Sequence, residues 1–304
     1  MEENRASITS VVTAYSRAYH AMHDDPKIFD DFLAVRLFTK EEMEYLEYNL
    51  AESLKFMDPD QAASCPDQAS ALSAAMRYNA PTTLSRSRYT EDVVEKLVDR
   101  GVRQYVILGA GMDTFAFRRP DISGKIKVFE IDHPASQTQK KERLARAGLA
   151  PSPQHFFIPV DFNITSLDEA LGPGLFNRHE PTVFSWLGVT FYLTYDKVMD
   201  TFRSIARIAP GGSVVVFDFL GDEAFDSQKA SEQSKKVQQI VRNAGEPMKM
   251  AFRSAALGAE LDKAGLALKE MLSPDEIEAR YFAGRTDGYH ASPHYYFASA
   301  EVKA

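Results

Sequence analysis

Two glycines and two later carboxylates carry the clearest chemical signal in this chain. The run Tyr105-Val106-Ile107-Leu108-Gly109-Ala110-Gly111-Met112-Asp113-Thr114 is apolar and β-rich up to a glycine turn, and Val128-Phe129-Glu130-Ile131-Asp132 follows about 20 residues later. Gly109 and Gly111 let the backbone turn sharply and approach a ligand closely, and the acidic pair can accept hydrogen bonds from ribose hydroxyls. A dinucleotide site would share that much. Here Thr114 stands where the third glycine of such a turn belongs, and Asp113 puts a carboxylate where a pyrophosphate would sit, so like charge disfavours phosphate. An adenosine with a cationic tail suits the set better. S-adenosylmethionine, with its sulfonium and ammonium groups, is the expected cofactor.

The elements around these residues alternate. Apolar β-rich runs at 104–108, 127–131, 155–159, 182–186 and 213–219 are separated by helical stretches at about 135–147, 166–171 and 196–208. Pro210-Gly211-Gly212 ends a helix before the fifth strand. A polar helical insertion is expected over 223–242, then a helix at 252–264, a strand at 266–271 and a closing strand at 294–302. Thr90, followed by Glu91 and Asp92, reads as the start of a helix running to Arg100. Upstream, residues 8–54 read as amphipathic helix, with Ile28, Phe29, Phe32, Leu33 and Leu37 on one face, and a second helical stretch leads from Leu72 toward Pro81. These patterns predict an α/β fold: a mostly parallel seven-stranded sheet of Rossmann-like, class I methyltransferase type. The expected division is a helical N-terminal cover or lid over 1–80 and a catalytic domain over 81–304, with an insertion at about 223–250.

Composition narrows the function classes. A formal net charge of -8 in 304 residues argues against a general nucleic-acid binder. The single cysteine, Cys65, excludes an intrachain disulfide framework and fits a reducing compartment. The start, Met1-Glu2-Glu3-Asn4-Arg5, has no apolar signal core behind it, and no run is long and apolar enough for a membrane span. The expectation is a cytoplasmic protein, monomer or homodimer, with no nucleic-acid or membrane partner. His20 and His23 beside Asp24 and Asp25 have metal-ligand spacing, but a solvated helix end explains them better, and no metal is expected.

Four blocks in order resemble the leucine carboxyl methyltransferase family and its bacterial relatives: Ser85-Arg86-Ser87-Arg88-Tyr89, the turn from Leu108 to Thr114, Phe129-Glu130-Ile131-Asp132, and the run from Phe184 to Thr194. The resemblance implies that Arg86, with Arg88 as a second candidate, pairs with the methionyl carboxylate of the cofactor. Gly109, Ala110 and Gly111 would line its methionine and ribose, Asp132 would take the ribose hydroxyls with Glu130 close by, Asp161 would accept from the adenine amino group and Phe162 would pack on the base. Where founding members carry a glutamate after the fourth strand, this chain has Leu187, and Trp186 and Tyr192 are expected to shape that wall.

Each assignment has a plainer alternative. Arg86 could form a surface ion pair, Asp113, Asp132 and Asp161 could cap helices, and Trp186 could be core. The acceptor implied is a carboxylate of a small molecule or peptide, because an ionised carboxylate needs no base and no base is evident after the fourth strand. No catalytic residue is therefore assigned beyond alignment and proximity. A phenol or enol acceptor is the alternative, served by His133, His290 or His294. Tyr192, Tyr289, His290 and His294 are the candidate substrate residues. A cofactor-binding protein without catalysis and a NAD-dependent enzyme are further readings, the latter disfavoured by Asp113 and Thr114.

Overall fold

A computed structural model describes residues 7–162, 164–172 and 174–304; the polar start Met1 to Arg5 lies outside them. Its centre is a seven-stranded sheet of β1 (Gln104–Leu108), β2 (Lys127–Asp132), β3 (His155–Pro159), β4 (Thr182–Trp186), β5 (Val214–Leu220), β6 (Leu266–Leu272) and β7 (Tyr295–Val302). The order across the sheet is β3-β2-β1-β4-β5-β7-β6. β1 to β5 are parallel, and β7 runs antiparallel to both β5 and β6. The expected mostly parallel α/β sheet is therefore present.

The helices of seven residues or more are α1 (Ile8–His23), α2 (Lys40–Met57), α3 (Gln68–Asn79), α4 (Pro81–Asp99), α5 (Pro134–Arg146), α6 (Tyr195–Ile208), α7 (Glu232–Asn243) and α8 (Leu257–Lys263). Strand side chains alternate between two covered faces. Val106 and Leu108 pack with Phe129, Ile131, Phe202 and Ile205 on one side, while Tyr105 and Ile107 pack with Val94, Val98 and Phe115 on the other. That two-sided burial is why β1 and β4 read as continuous apolar runs.

Three local expectations are corrected. Thr90 does not begin a helix: α4 starts at Pro81, whose lack of an N–H costs nothing in a first turn, and Thr90 is buried inside it. Ile28 to Leu37 is not one face of a long helix. α1 stops at His23, and a short 3₁₀ turn at Ala34–Leu37 precedes α2, so Ile28, Phe29, Leu33 and Leu37 are buried individually while Phe32 is exposed. The insertion becomes helical only at Glu232, after a 3₁₀ turn at Asp222–Phe225.

The N-terminal segment is joined to the glycine turn by a buried polar network. Arg17 of α1 donates to Asp31 at 2.8 Å and to the carbonyl of Met112 at 2.7 Å. Asp31 also accepts from Thr114 at 2.6 Å. Arg118 completes the set by pairing with Glu91 of α4. Thr114, which breaks the dinucleotide pattern in the sequence, thus anchors the cover to the turn. His20 is buried rather than solvated, held between Asp24 at 2.6 Å and the Ile28 amide at 2.8 Å. Among the described residues no cluster of three metal-ligating side chains occurs, and no helix is long and apolar enough to cross a membrane.

Candidate functional site

β1, β2, β3 and β4 all end at one edge of the sheet, and strand order reverses between β1 and β4. Open parallel sheets bind ligands in the crevice at such a switch point, because the loops diverge there. A cavity of about 220 Å³ occupies this position. Its floor is Gly109 to Asp113 after β1, Asp132 and His133 after β2, Val160 to Phe162 after β3, and Leu187 to Val189 after β4. Its roof is Ser7, Thr9, Ser10, Thr13 and Arg17 of the N-terminal segment, with residues 245–247 and Lys249 after α7.

The floor is shaped by backbone that side chains would obstruct. Gly109 has φ 69°, and a Cβ there would lie 2.5 Å from the Val189 Cγ2. Gly188 has φ 70°, and a Cβ would meet the Arg86 guanidinium at 2.6 Å. Asp132 stands at the tip of β2, with one carboxylate oxygen accepting from the Gly111 amide at 2.5 Å and the other from the His133 amide at 2.6 Å. Burial pushes its pKa up, and these two amides work against that shift. Asp113 is raised for the same first reason, and its carboxylate accepts from the Phe115 amide at 2.7 Å. Asp113 therefore caps the turn after the glycines as well as lining the cavity. Of the other capping alternatives, α5 is capped by His133 rather than Asp132, and the Asp161 backbone carbonyl accepts from the Ile164 and Thr165 amides.

Arg86, inside α4, donates to Asp218 of β5 at 2.8 Å, and Asp218 also accepts from the Gly188 amide at 2.6 Å. Arg86 is thereby held in the wall between the first cavity and a second of about 240 Å³, both of which it lines. Thr9, Thr13, Thr83, Gly188 and Tyr192 share that wall. The second cavity extends between α1, α2, α3, α7 and the segment entering β7, lined by Val12, Leu50, Met57, Val237, Ile240 and Phe191 among others.

Of the expected cofactor residues, the structure brings together Arg86, Gly109, Ala110, Gly111, Asp113, Asp132, Asp161 and Phe162 around the first cavity. Three are placed elsewhere. Arg88 is exposed one helical step away and pairs with Asp92 at 2.7 Å. Glu130 lies deeper on the sheet face, paired with Lys140 and, at 2.9 Å, with His155. Burial pushes the Glu130 carboxyl up, but these partners outweigh it and hold it below the usual range. Trp186 is core, edge-on to Phe202 with centroids 5.4 Å apart.

Among the substrate candidates, Tyr192 lines both cavities, and burial pushes its phenol up to about 12. Tyr289 is buried against His20, His290 is exposed and bound to Glu278 at 2.9 Å, and His294 accepts from the Ser231 amide at 3.1 Å. None of the three lines either cavity, although Ser292, Pro293 and Tyr295 of the same stretch line the second. His294 adopts φ 68°, and its ring meets the start of the helical insertion at Ser231.

Sequence reading missed Asp218, Glu246 and the roof threonines. Asp218 had a signal, a lone acid in Val214 to Leu220, since a charge is seldom buried without a partner. Glu246, which accepts from Thr9 across the roof, had none.

The chemistry of the first cavity fits an adenosine bearing both charges: carboxylates at Asp113, Asp132 and Asp161, a guanidinium at Arg86, and a glycine floor that admits a close ligand. Comparisons with known proteins agree. The profile of the family described as "Leucine carboxyl methyltransferase" matches residues 10–206. A Bacillus subtilis (strain 168) protein named "Putative S-adenosyl-L-methionine-dependent methyltransferase YktD" is 35% identical over 294 residues, 96% of each chain. A similarly named protein of Mycobacterium sp. (strain JLS) is 32% identical over 164 residues, 53% of this chain and 52% of its own. Two solved structures share the fold at 14% identity and a TM-score of 0.59. One is a DUF574 family protein from Streptomyces avermitilis, covering 99% of both chains; the other is a "putative methyltransferase" from Thermobifida fusca, covering 100% of this chain and 97% of its own.

Proposed function

The chain belongs to the leucine carboxyl methyltransferase family and is an S-adenosylmethionine-dependent methyltransferase, and from that premise we propose that it methylates a carboxylate to a methyl ester. The observation that carries the proposal is what the second cavity lacks. Its lining, among the described residues, contains no His, Asp, Glu, Lys or Cys, and its one formal charge is Arg86. Burial pushes the phenols of Tyr78 and Tyr192 up to about 12 and that of Tyr295 higher still, so all three remain hydrogen-bond donors at neutral pH. An acceptor entering this space meets no base in that lining, which favours one that is already ionised. A carboxylate, with a reference pKa of about 4, meets that condition, whereas a phenol at about 10 does not.

Arg86, Gly109, Ala110, Gly111, Asp113, Asp132, Asp161 and Phe162 would hold the cofactor. When bound, S-adenosylmethionine supplies an electrophilic methyl group on a sulfonium, a good leaving group. The protein's share is alignment and exclusion of water. Asp132, fixed by two backbone amides, offers its remaining acceptor capacity to the ribose. Asp218 fixes Arg86 and the Gly188 amide together, so the cation and the floor of the wall keep one geometry. In this reading α1 and the segment from α7 to Lys249 form a lid, tied by Thr9 and Glu246, that shields both cavities.

One observation favours the alternative hydroxyl acceptor. Glu246 lines the first cavity, and Thr9 connects it to the Tyr192 phenol. His133 lines the same cavity but not the second. Release of S-adenosylhomocysteine with a panel of carboxylic acids and phenols, followed by mild alkaline treatment of the product, separates the two. An alkali-labile ester is expected. An alkali-stable ether whose formation is lost in Glu246→Gln would establish the alternative.

A further inference from the structure

The wall of the second cavity says more about the acceptor than that it is ionised. Many lining residues are polar by type, yet most of their polar atoms are engaged, the Thr83 and Tyr295 hydroxyls and the Gln233 amide being the exceptions. Thr13 donates to the Ser10 carbonyl at 3.0 Å, Ser53 to the Leu50 carbonyl at 2.7 Å and Asn79 to the Ala75 carbonyl at 2.8 Å. Tyr78 donates to Asp58 and Thr82 to Ser292, at 2.8 and 2.7 Å, and Thr9 donates to Glu246. Helical Ser, Thr and Asn that bond back to their own turn present methyl and methylene groups outward.

The apolar stripe of α7 reinforces this. Val237, Ile240, Val241 and Ala244 recur at helical spacing and line the cavity, although the helix as a whole is polar. Lys236, donating to the Met57 carbonyl at 3.0 Å, and Gln238, donating to the Ala224 carbonyl at 2.7 Å, fasten that stripe over the space.

We infer that the second cavity is an acceptor site selective for compact acids with an apolar body, the carboxylate lying at Arg86 and the body against α2 and α7, over the C-terminus of a peptide. This inference rests on the carboxyl-methylation reading. A peptide would bring several amides into a wall whose unspent partners are Thr83, Gln233 and Tyr295, and each buried amide left unpaired costs about 1–3 kcal/mol. An apolar chain or ring system brings none, and gains by leaving water. Arg86 supplies the charge complement on the wall that both cavities share. In the transfer a carboxylate oxygen contributes a lone pair to form the new O–CH₃ bond, the S–CH₃ bond breaks with its pair retained by sulfur, and no proton moves.

The test uses full-length protein saturated with S-adenosylhomocysteine. Calorimetry compares decanoate and 2-naphthylacetate with 1-decanol, decyltrimethylammonium and a tetrapeptide ending in a free apolar residue. At least one of the two acids is expected to bind at least about tenfold tighter than the alcohol, the cation and the peptide. Val237→Glu, which puts a carboxylate into the wall, should weaken that acid by at least about tenfold while leaving S-adenosylhomocysteine affinity unchanged. If Val237→Glu fails to fold, Val237→Phe, which fills the space without charge, should also weaken it. Peptide, alcohol or cation binding as tightly as both acids, or acid affinity unchanged in a folded Val237 variant, would overturn the inference. The two readings fail separately. Acid binding without ester formation sinks carboxyl methylation alone, whereas a methyl ester made on the peptide and on neither acid sinks the cavity assignment alone.

Discussion

The two cavities that meet at Arg86 are built by opposite means. The first is made of backbone: a glycine turn, four strand ends, and carboxylates fixed by amides, as in Asp132 bound to Gly111 and His133. The second is made of side chains from helices packed above the sheet, with little backbone in its wall that must adopt any special conformation. The first is therefore committed to one ligand geometry, because φ angles and strand register leave it no freedom. The second can change its occupant by exchanging one apolar side chain for another. A molecule arranged this way can keep its methyl donor while its acceptor diverges.

If that contrast is right, the cofactor end should be fragile and the acceptor end tolerant. The largest effect is expected behind the cofactor floor, where Glu130 is buried between Lys140 and His155 one layer below Asp132. Lys140→Met leaves a buried carboxylate short of its main partner and should cost about 3 kcal/mol of stability, read by denaturant unfolding. Because Glu130 has a depressed pKa in the folded state, the stability it contributes is present above its unfolded value and lost as pH falls through the folded one. The gap between wild type and Lys140→Met should accordingly narrow on acidification. Val237→Ala in the second cavity should cost well under about 1 kcal/mol. Equal losses from the two substitutions would dissolve the contrast.

Gly109→Ala comes next. The residue sits at φ 69° and its Cβ would approach a stiff valine methyl to 2.5 Å, so strain of about 1–2 kcal/mol is expected. S-adenosylhomocysteine affinity should fall by about tenfold, with acceptor binding to any residual complex less affected. Unchanged cofactor affinity in a folded variant would show that the floor has more freedom than its angles imply.

The same contrast explains what could be read from the sequence. The seven strands and the glycine turn were legible because sheet period and positive φ constrain residue type directly, whereas Arg86 and Asp161 came only from the family resemblance and are found lining the first cavity. Arg88, Glu130 and Trp186 were misplaced because proximity in sequence to a site says nothing about which side of a helix or which depth of a strand a residue takes. Arg88 is two residues from Arg86 and faces solvent. A pocket between the helical cover and the insertion was expected, but its lining was not legible, because Val237 and Ile240 at helical spacing read the same whether they fill a core or line a space. Glu246 lies in a loop with no pattern at all, and only the fold brings it to Thr9.

Arg86 belongs to both cavities, so its removal should be felt by both ligands. Arg86→Met is expected to weaken S-adenosylhomocysteine by at least about 1 kcal/mol, since a charged hydrogen-bond partner is lost, and to weaken an acidic acceptor as well. Asp218→Asn keeps the cation but loosens its anchor, and should produce a smaller loss for both ligands. A loss confined to one ligand would place the guanidinium on that side of the wall alone.

The smallest effect expected is also the one that separates the cavities by pH. If Asp132 holds the ribose as proposed, it must be ionised to accept well, and because burial has raised its pKa, cofactor affinity should begin to decline at a pH above the usual carboxylate value of 3.8. Asp113 is raised in the same direction and contributes to the slope. Asp132→Asn retains one acceptor oxygen. It should weaken S-adenosylhomocysteine by only about threefold at neutral pH, and the decline on acidification should become shallower than in the wild type. Calorimetric titrations of both proteins from neutral pH downward decide it. Parallel slopes would remove Asp132 from the titrating set and leave Asp113 as the group that makes the first cavity sensitive to acid.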